Sequence, residues 1–436
     1  MQRVLPDTAA IEASGRLHLA GCDAVELAET FGTPLIVLDR ASIETRAKAF
    51  ASVLEAERVF YAAKAFCCVA MCELLESLGL SLDVCTRGEL ETALAAGFPP
   101  ERILFHGNNK SVAELERATD VGLGRVVVDS LDELTRLDEV GFAGRLLLRV
   151  TPGVEAHTHE FVQTGQEDSK FGFGIGDVAI EGLRRARELE RPDLVGVHAH
   201  IGSQIFELAA YDLAIERLAD FLLRARTELG FSAQELNLGG GFGIAHTRDE
   251  LTPDPADSVG RLVGAVEREF AARDLPVPAV AVEPGRAIVG QAAVTLYRVG
   301  TVKRVPGANT YVAVDGGMGD NIRPPLYGAK YETLLANRAR DEATARADVV
   351  GKFCESGDFL IKGAHLPSDV QAGDLLCIPA TGAYTYSMAS NYNRQPRPAA
   401  VMVADGKATE IVARETYEDV LRLDRRLDGK SILSPG

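Results

Sequence analysis

The chain has 436 residues, 46% hydrophobic and 25% charged, which is ordinary globular usage with enough apolar surface for a sizeable core. That excludes disorder, collagen and coiled coil as overall descriptions, and the length suggests roughly two or three domains, of which an α/β barrel would be a large one. The 46 basic and 63 acidic side chains leave a net charge of −17, which argues against nucleic acid or an anionic membrane as the main partner; small anions need only a local site.

The seven cysteines (Cys22, Cys67, Cys68, Cys72, Cys85, Cys354 and Cys377) form no CxxC pair and no regular spacing. Neither a secreted disulfide framework nor a structural zinc site is expected. Met1 to Ala10 lack the basic-then-apolar pattern of a signal peptide, and no run of ~18 apolar residues reads as a membrane span. A soluble, cytoplasmic protein is the expectation.

Residues 34–38 read as an isolated strand. From about residue 57, eight short, β-branched-rich segments follow at 58–63, 81–85, 102–106, 125–129, 145–150, 194–200, 235–238 and 280–283. Amphipathic stretches separate them. Ser111-Val-Ala-Glu114 and Ser130-Leu-Asp-Glu133 read as capping boxes, and Gly97 and Gly122 fall at expected helix ends. Eight β–α units predict a (β/α)8 TIM-like barrel over 42–289, with a doubly wound open sheet as the competitor. Beyond Arg286, segments 293–305, 310–314, 358–361 and 375–379 read as strands, and 399–404 with 408–412 as a hairpin around Asp405-Gly406. Together with 1–41, residues 290–436 form a second, mostly β domain of Greek-key or sandwich-like character. The charged runs 338–348 and 422–426 read as solvated helix faces.

In barrels the chemistry lies at the C-terminal strand ends. Here those ends carry Lys64, Asp83, His106-Gly-Asn-Asn109, Arg149, His198-Ala-His200, Gly239-Gly-Gly-Phe-Gly243 and Glu283-Pro-Gly-Arg286. Lys64 leaves an apolar strand, so it is either a snorkelling rim lysine or a Schiff-base lysine activated by desolvation. The glycine loop is either a tight turn or, because it follows the seventh strand, a phosphate nest. His198 and His200 share a strand face; a metal pair is the weaker reading, for them and for His157 and His159, and a hydrogen-bonded interior histidine suits His198. Glu283 either pairs with Arg286 or serves a ligand. A lysine for a Schiff base, a glycine nest for a phosphate and a buried acid for a ring nitrogen point to pyridoxal 5'-phosphate (PLP), with no metal.

Tyr61-Ala-Ala-Lys64, His198-Ala-His-Ile-Gly-Ser-Gln204, the glycine loop and Glu283-Pro-Gly-Arg286 resemble the fold-type III PLP decarboxylases. Asp315-Gly-Gly-Met, Arg323-Pro-Pro-Leu-Tyr327, Cys354-Glu-Ser-Gly-Asp358 and Gly382-Ala-Tyr384 are similar to the diaminopimelate decarboxylases, the bacterial enzymes that make lysine from meso-2,6-diaminopimelate, and the resemblance runs from about Thr33 to Glu415. It implies that Lys64 carries PLP, Glu283 pairs with the pyridine nitrogen and His200 stacks on the ring. Asp83 supports the cofactor, Ser203, Gly240, Gly241, Gly285 and Arg286 surround the phosphate, and Tyr384 contacts the cofactor. Cys354 from a neighbouring subunit is the expected proton donor, so a homodimer with shared active sites is implied.

A diaminopimelate substrate also needs cationic and hydroxyl donors for its far carboxylate, from Arg286, Arg323 and Tyr327, with Tyr384 nearby, and an acid for its far amine, from Glu355. The rivals are a PLP decarboxylase of another diamino acid such as carboxynorspermidine, a catalytically silent PLP-binding homologue, and a cofactor-free lysine aldolase. Two positions depart from the common family pattern, Phe66 after the PLP lysine and Ile244-Ala-His-Thr247 after the glycine loop; both put loop packing in doubt rather than activity. In Asp168-Ser-Lys-Phe-Gly172, Lys170 reads as structural.

Overall fold

The computed structural model describes residues 1–154 and 169–432, and it divides into two compact units. His157, His159 and Asp168 lie outside the described residues. Among the described residues no helix is long and apolar enough to cross a membrane.

One unit comprises residues 45–244 and 252–288. Its eight parallel strands are Phe60–Ala62, Ser81–Val84, Ile103–Phe105, Arg125–Val128, Arg145–Thr151, Asp193–His198, Glu235–Asn237 and Ala279–Ala281, hydrogen-bonded to one another in chain order. The first and eighth meet through a parallel bridge at Val59 and Val282, where Phe60 N–H donates to Val282 O at 2.9 Å. The eight predicted segments are therefore the eight staves of a near-closed TIM-like barrel. Phe60, Leu104, Val127, Leu147, Val195 and Ala281 fill its centre as one buried cluster, one residue from each of six strands. Gly196 is required where it stands: a Cβ there would sit 1.8 Å from Glu235 O on the neighbouring strand.

Helices cover the barrel, and their caps follow the sequence signals in part. Ser111 and Glu114 form a reciprocal capping box on Val112–Asp120, as predicted. Gly97 and Gly122 take φ of +73° and +68° at helix ends. Ser130 accepts from Glu133 N–H, but the Glu133 carboxylate does not reach back to complete the second box. It is buried instead, accepting from Asp129 N–H at 2.8 Å and from Lys110 Nζ at 2.6 Å. Lys110 Nζ also donates to Gly107 O and Val127 O, so all three ammonium protons are used inside the protein.

The other unit comprises residues 1–44, 245–251 and 289–436. Its centre is the long strand Ala293–Arg304, antiparallel to Leu35–Asp39, Thr310–Val314 and Leu375–Pro379. Leu35–Asp39 runs parallel to Ala399–Ala404, which pairs with Lys407–Val412 across Asp405 and Gly406, both at positive φ (50° and 72°) as a type I′ turn requires. The sheet is mixed. A small sheet of Ala10–Ile11, Leu17–Leu19 and Cys22–Asp23 precedes it, too short in each strand to show a periodic signal.

Both charged runs depart from the helical reading. Ala345–Val350 is a strand between Thr310–Val314 and Phe359–Leu366, and Arg338 before it is held by Asp341, Asp369 and Asp374. Charge composition does not separate a solvated helix from a half-exposed strand, and here the ladder partners decide. Residues 422–426 lie beyond the short helix Tyr417–Leu421.

Lys110→Met should cost about 3–5 kcal/mol in urea unfolding, because it leaves Glu133 buried without its cation. The double change Lys110→Met with Glu133→Leu should recover part of that loss; a double variant less stable than the single one would refute this account.

Candidate active site

The C-terminal end of the barrel strands is organised around Glu283. The acid follows the eighth strand and is 4% exposed. Its Oε1 accepts from His106 Nε2 at 2.8 Å and Asn237 Nδ2 at 2.9 Å, and its Oε2 lies 3.2 Å from His198 Nε2. Burial alone would raise its pKa, but the two histidines, by charge and by hydrogen bond, outweigh that and hold it well below the usual carboxylate range. Pairing with Arg286 is not how Glu283 is satisfied; Arg286 Nη2 donates to Ser203 Oγ at 3.1 Å. His106 is held below its ordinary value by burial, against the pull of Glu283 and Asp83. Among the described residues, His106, His198 and Glu283 also offer metal-ligand atoms within 4.8 Å of one another; each histidine is at hydrogen-bond distance from the acid.

The glycine loop packs directly onto this acid. Glu283 N–H donates to Gly239 O at 2.8 Å, and Asn237 Oδ1 accepts from Gly239 N–H at 2.9 Å. A Cβ on Gly240 would lie 2.3 Å from Glu283 O, and one on Gly241, at φ +107°, 2.4 Å from Gly202 O. Gly285 approaches Ala62 and Ala65, with a Cβ there 3.0 Å from Ala62 Cβ. These positions form a cradle that any side chain would fill.

His200 is half-buried beside the loop, and its Nδ1 accepts from Gly240 N–H at 3.2 Å. Burial, with the charges of Lys64 and Arg149 adding to it, holds its pKa well below the usual histidine range. It is therefore neutral near pH 7, with its proton on Nε2.

Lys64 lies in the turn Ala63–Ala65 that ends the first strand. It is exposed between two buried alanines, and its charge acts on the buried Asp83 and on His200. Tyr61 Oη donates to Phe66 O at 3.0 Å across this turn, and Phe66, the first departure from the family pattern, is fully buried. Asp83 is buried on the second strand, with Oδ1 3.8 Å from His106 Nε2. Lys170 lies over the Phe171 ring at 4.9 Å, a surface packing role.

The other unit carries the remaining predicted residues. Arg323 is buried; its Nη1 reaches His246 Nε2 at 3.1 Å and bonds Tyr331 Oη. His246 lies in the second departure from the family pattern, so that segment packs Arg323. Tyr327 and Tyr384 are half-buried, Tyr384 at φ +61°. Cys354 and Glu355 are exposed on a loop pinned by the buried Asp358, whose carboxylate accepts from Phe353 N–H at 2.9 Å and Met318 N–H at 2.7 Å. Cys354 N–H donates to Asn393 Oδ1 at 3.2 Å, and Tyr392 Oη lies 3.5 Å from Glu355 Oε2. The structure thus brings Lys64, Asp83, His200, Ser203, Gly240, Gly241, Glu283, Gly285 and Arg286 together in the barrel unit. Arg323, Tyr327, Cys354, Glu355 and Tyr384 belong to the other.

Sequence reasoning left His106 unassigned and passed over Asn237. An asparagine inside the buried strand Glu235–Asn237, directly before a glycine loop, is the signal that would have found it.

The donor set fits PLP: an exposed lysine, a buried ionised acid, and a glycine cradle with Ser203 and Arg286. Comparison with known proteins agrees. The family model "Pyridoxal-dependent decarboxylase, pyridoxal binding domain" matches residues 40–290. The chain is 50% identical over 419 residues to the diaminopimelate decarboxylase of Bacillus subtilis, covering 94% of this chain and 95% of that protein. It is 45% identical to that of Mycobacterium leprae, covering 97% and 93%. Among solved structures, diaminopimelate decarboxylase from M. jannaschii in complex with L-lysine superposes with a TM-score of 0.89 at 31% identity, over 97% of this chain and 98% of that one.

The Asp83 carboxyl is raised to about 6 by burial; His106 and Lys64 oppose the rise and Glu283 adds to it. A folded value above the unfolded 3.8 means the folded state holds this proton more tightly. The stability it contributes is present at low pH and lost as pH rises through about 6. In cofactor-free protein, the melting temperature of the wild type minus that of Asp83→Asn should therefore fall between about pH 4 and 7; a flat difference would contradict the assignment.

Proposed function

The chain belongs to the diaminopimelate decarboxylase family of PLP-dependent carboxy-lyases, and from that premise we propose that it converts meso-2,6-diaminopimelate to L-lysine and CO2, the last step of bacterial lysine synthesis, in the cytoplasm. The observation that carries this reading is a likeness spanning nearly the whole chain and nearly the whole of the relatives it matches. The L-lysine held by the M. jannaschii relative is the expected product.

PLP, when bound, supplies an electron sink for the carbanion left by loss of CO2. The protein's residues do the rest. The Lys64 amine is the group that would hold the cofactor covalently. Glu283, ionised, would accept from the pyridine N–H and keep that nitrogen protonated. The backbone at Gly240, Gly241 and Gly285, with Ser203 and Arg286, receives the phosphate, and the tight glycine contacts keep side chains out of its place. Neutral His200, beside the glycine loop, would add no positive charge next to the ring. Asp83 supports the cofactor region and Tyr384 contacts it.

The far end of the substrate determines specificity. Arg286, Arg323 and Tyr327 receive its carboxylate and Glu355 its ammonium, a set that a substrate with a lone distal ammonium does not need. Cys354, supplied by the neighbouring subunit of a homodimer, donates the proton that replaces the carboxylate at the α-carbon.

Purified PLP-loaded protein, offered meso-diaminopimelate, L-lysine, L-ornithine, L-arginine and carboxynorspermidine separately, should release CO2 from diaminopimelate alone, with L-lysine found by mass spectrometry. Turnover of a different substrate would overturn the specificity argument. Lys64→Ala should abolish turnover. Cys354→Ala should slow it by about a hundredfold or more while PLP stays bound, as expected for loss of a proton donor; an unaffected rate would remove Cys354 from the reaction.

A further inference from the structure

The Glu283 carboxylate is surrounded by donors to which the reaction itself gives no role. Its two oxygens offer about four lone-pair directions. His106 Nε2 and Asn237 Nδ2 take both on Oε1, and His198 Nε2 takes one on Oε2. The donors come from the ends of the third, sixth and seventh strands, and all are buried, with His106 at 5%, His198 at 1% and Asn237 at 0% exposure. A buried carboxylate without such donors takes up a proton, and a protonated acid is a poor acceptor for a ring N–H. The set also fixes direction. Asn237 ties the acid to Gly239 of the glycine loop, and His106 stands between Glu283 and Asp83, separating two buried acids.

We propose that His106, His198 and Asn237 are positioning residues that hold Glu283 ionised and aimed, leaving the remaining lone pair of Oε2 for the pyridine N–H of PLP. The inference rests on the PLP reading above and assigns the residues that make Glu283 competent for it. None of the three touches substrate in this account. A purely structural role would alter stability and leave the protonation of the ring nitrogen unchanged.

The test uses holoenzyme reconstituted with PLP labelled with 15N at the ring nitrogen, whose NMR shift reports protonation, and an absorbance titration of apoenzyme with PLP. Glutamine at position 106 or 198 can place an amide N–H near where the ring Nε2 stands; asparagine is one methylene too short. His106→Asn and His198→Asn should weaken PLP binding about tenfold or more and move the 15N signal toward that of Glu283→Gln. His106→Gln and His198→Gln should restore it toward the wild-type position. A wild-type 15N signal in both Asn variants, alongside a shifted one in Glu283→Gln, would overturn the proposal. An unshifted signal in Glu283→Gln would instead overturn the pairing of Glu283 with the ring, and the proposal with it. Should the Asn variants fail to fold, Asn237→Ser withdraws one donor of three, and the same 15N comparison with Glu283→Gln decides.

Discussion

One buried negative charge sets the terms for the barrel unit. Glu283 stands at the end of the eighth strand, where an ion of either sign is costly unless it is paired and hydrogen-bonded. It is made tolerable by His106, His198 and Asn237, which come from three other strand ends. Only a closed barrel brings four such ends together. The closing bridge between Val59 and Val282 also lays Gly285 against Ala62 and Ala65, one before and one after Lys64 in the chain. The closure that satisfies the acid therefore also fixes the segment that bears the lysine.

The glycine loop and the acid are equally hard to separate. Gly239 and Gly240 pack on the backbone of Glu283, Gly241 on that of Gly202, and His200 accepts from Gly240 N–H. This contact leaves no room for a Cβ, so the glycines answer to the neighbouring carbonyls as much as to any anion. Because His200 accepts rather than donates at Nδ1, its neutrality and the loop's shape support each other. In the other unit, Asp358 does comparable work by accepting from the backbone N–H groups of Met318, 40 residues before it, and Phe353, five before it. That is how a loop can present Cys354 and Glu355 to solvent and still have a defined base.

Much of the fold was legible because its signals are local. The barrel strands are short β-branched runs alternating with amphipathic helices, and the Ser111 capping box and the Asp405-Gly406 turn follow from residues within a few positions of one another. The errors have one cause. The Ser130 box is incomplete because Glu133 is drawn to Lys110, 23 residues away. The run 338–348 is part strand because Ala345–Val350 finds ladder partners on both sides.

The sequence by itself determined the order of elements and which strand ends carry polar groups, since periodicity and turn chemistry act over a few residues. The tertiary structure decided what those groups bind. Glu283 is held by His106, 177 residues before it, and not by Arg286, three residues after it. The physical reason is that a buried carboxylate takes whichever donors the closed barrel places within hydrogen-bond reach. That set is a property of closure, not of spacing along the chain.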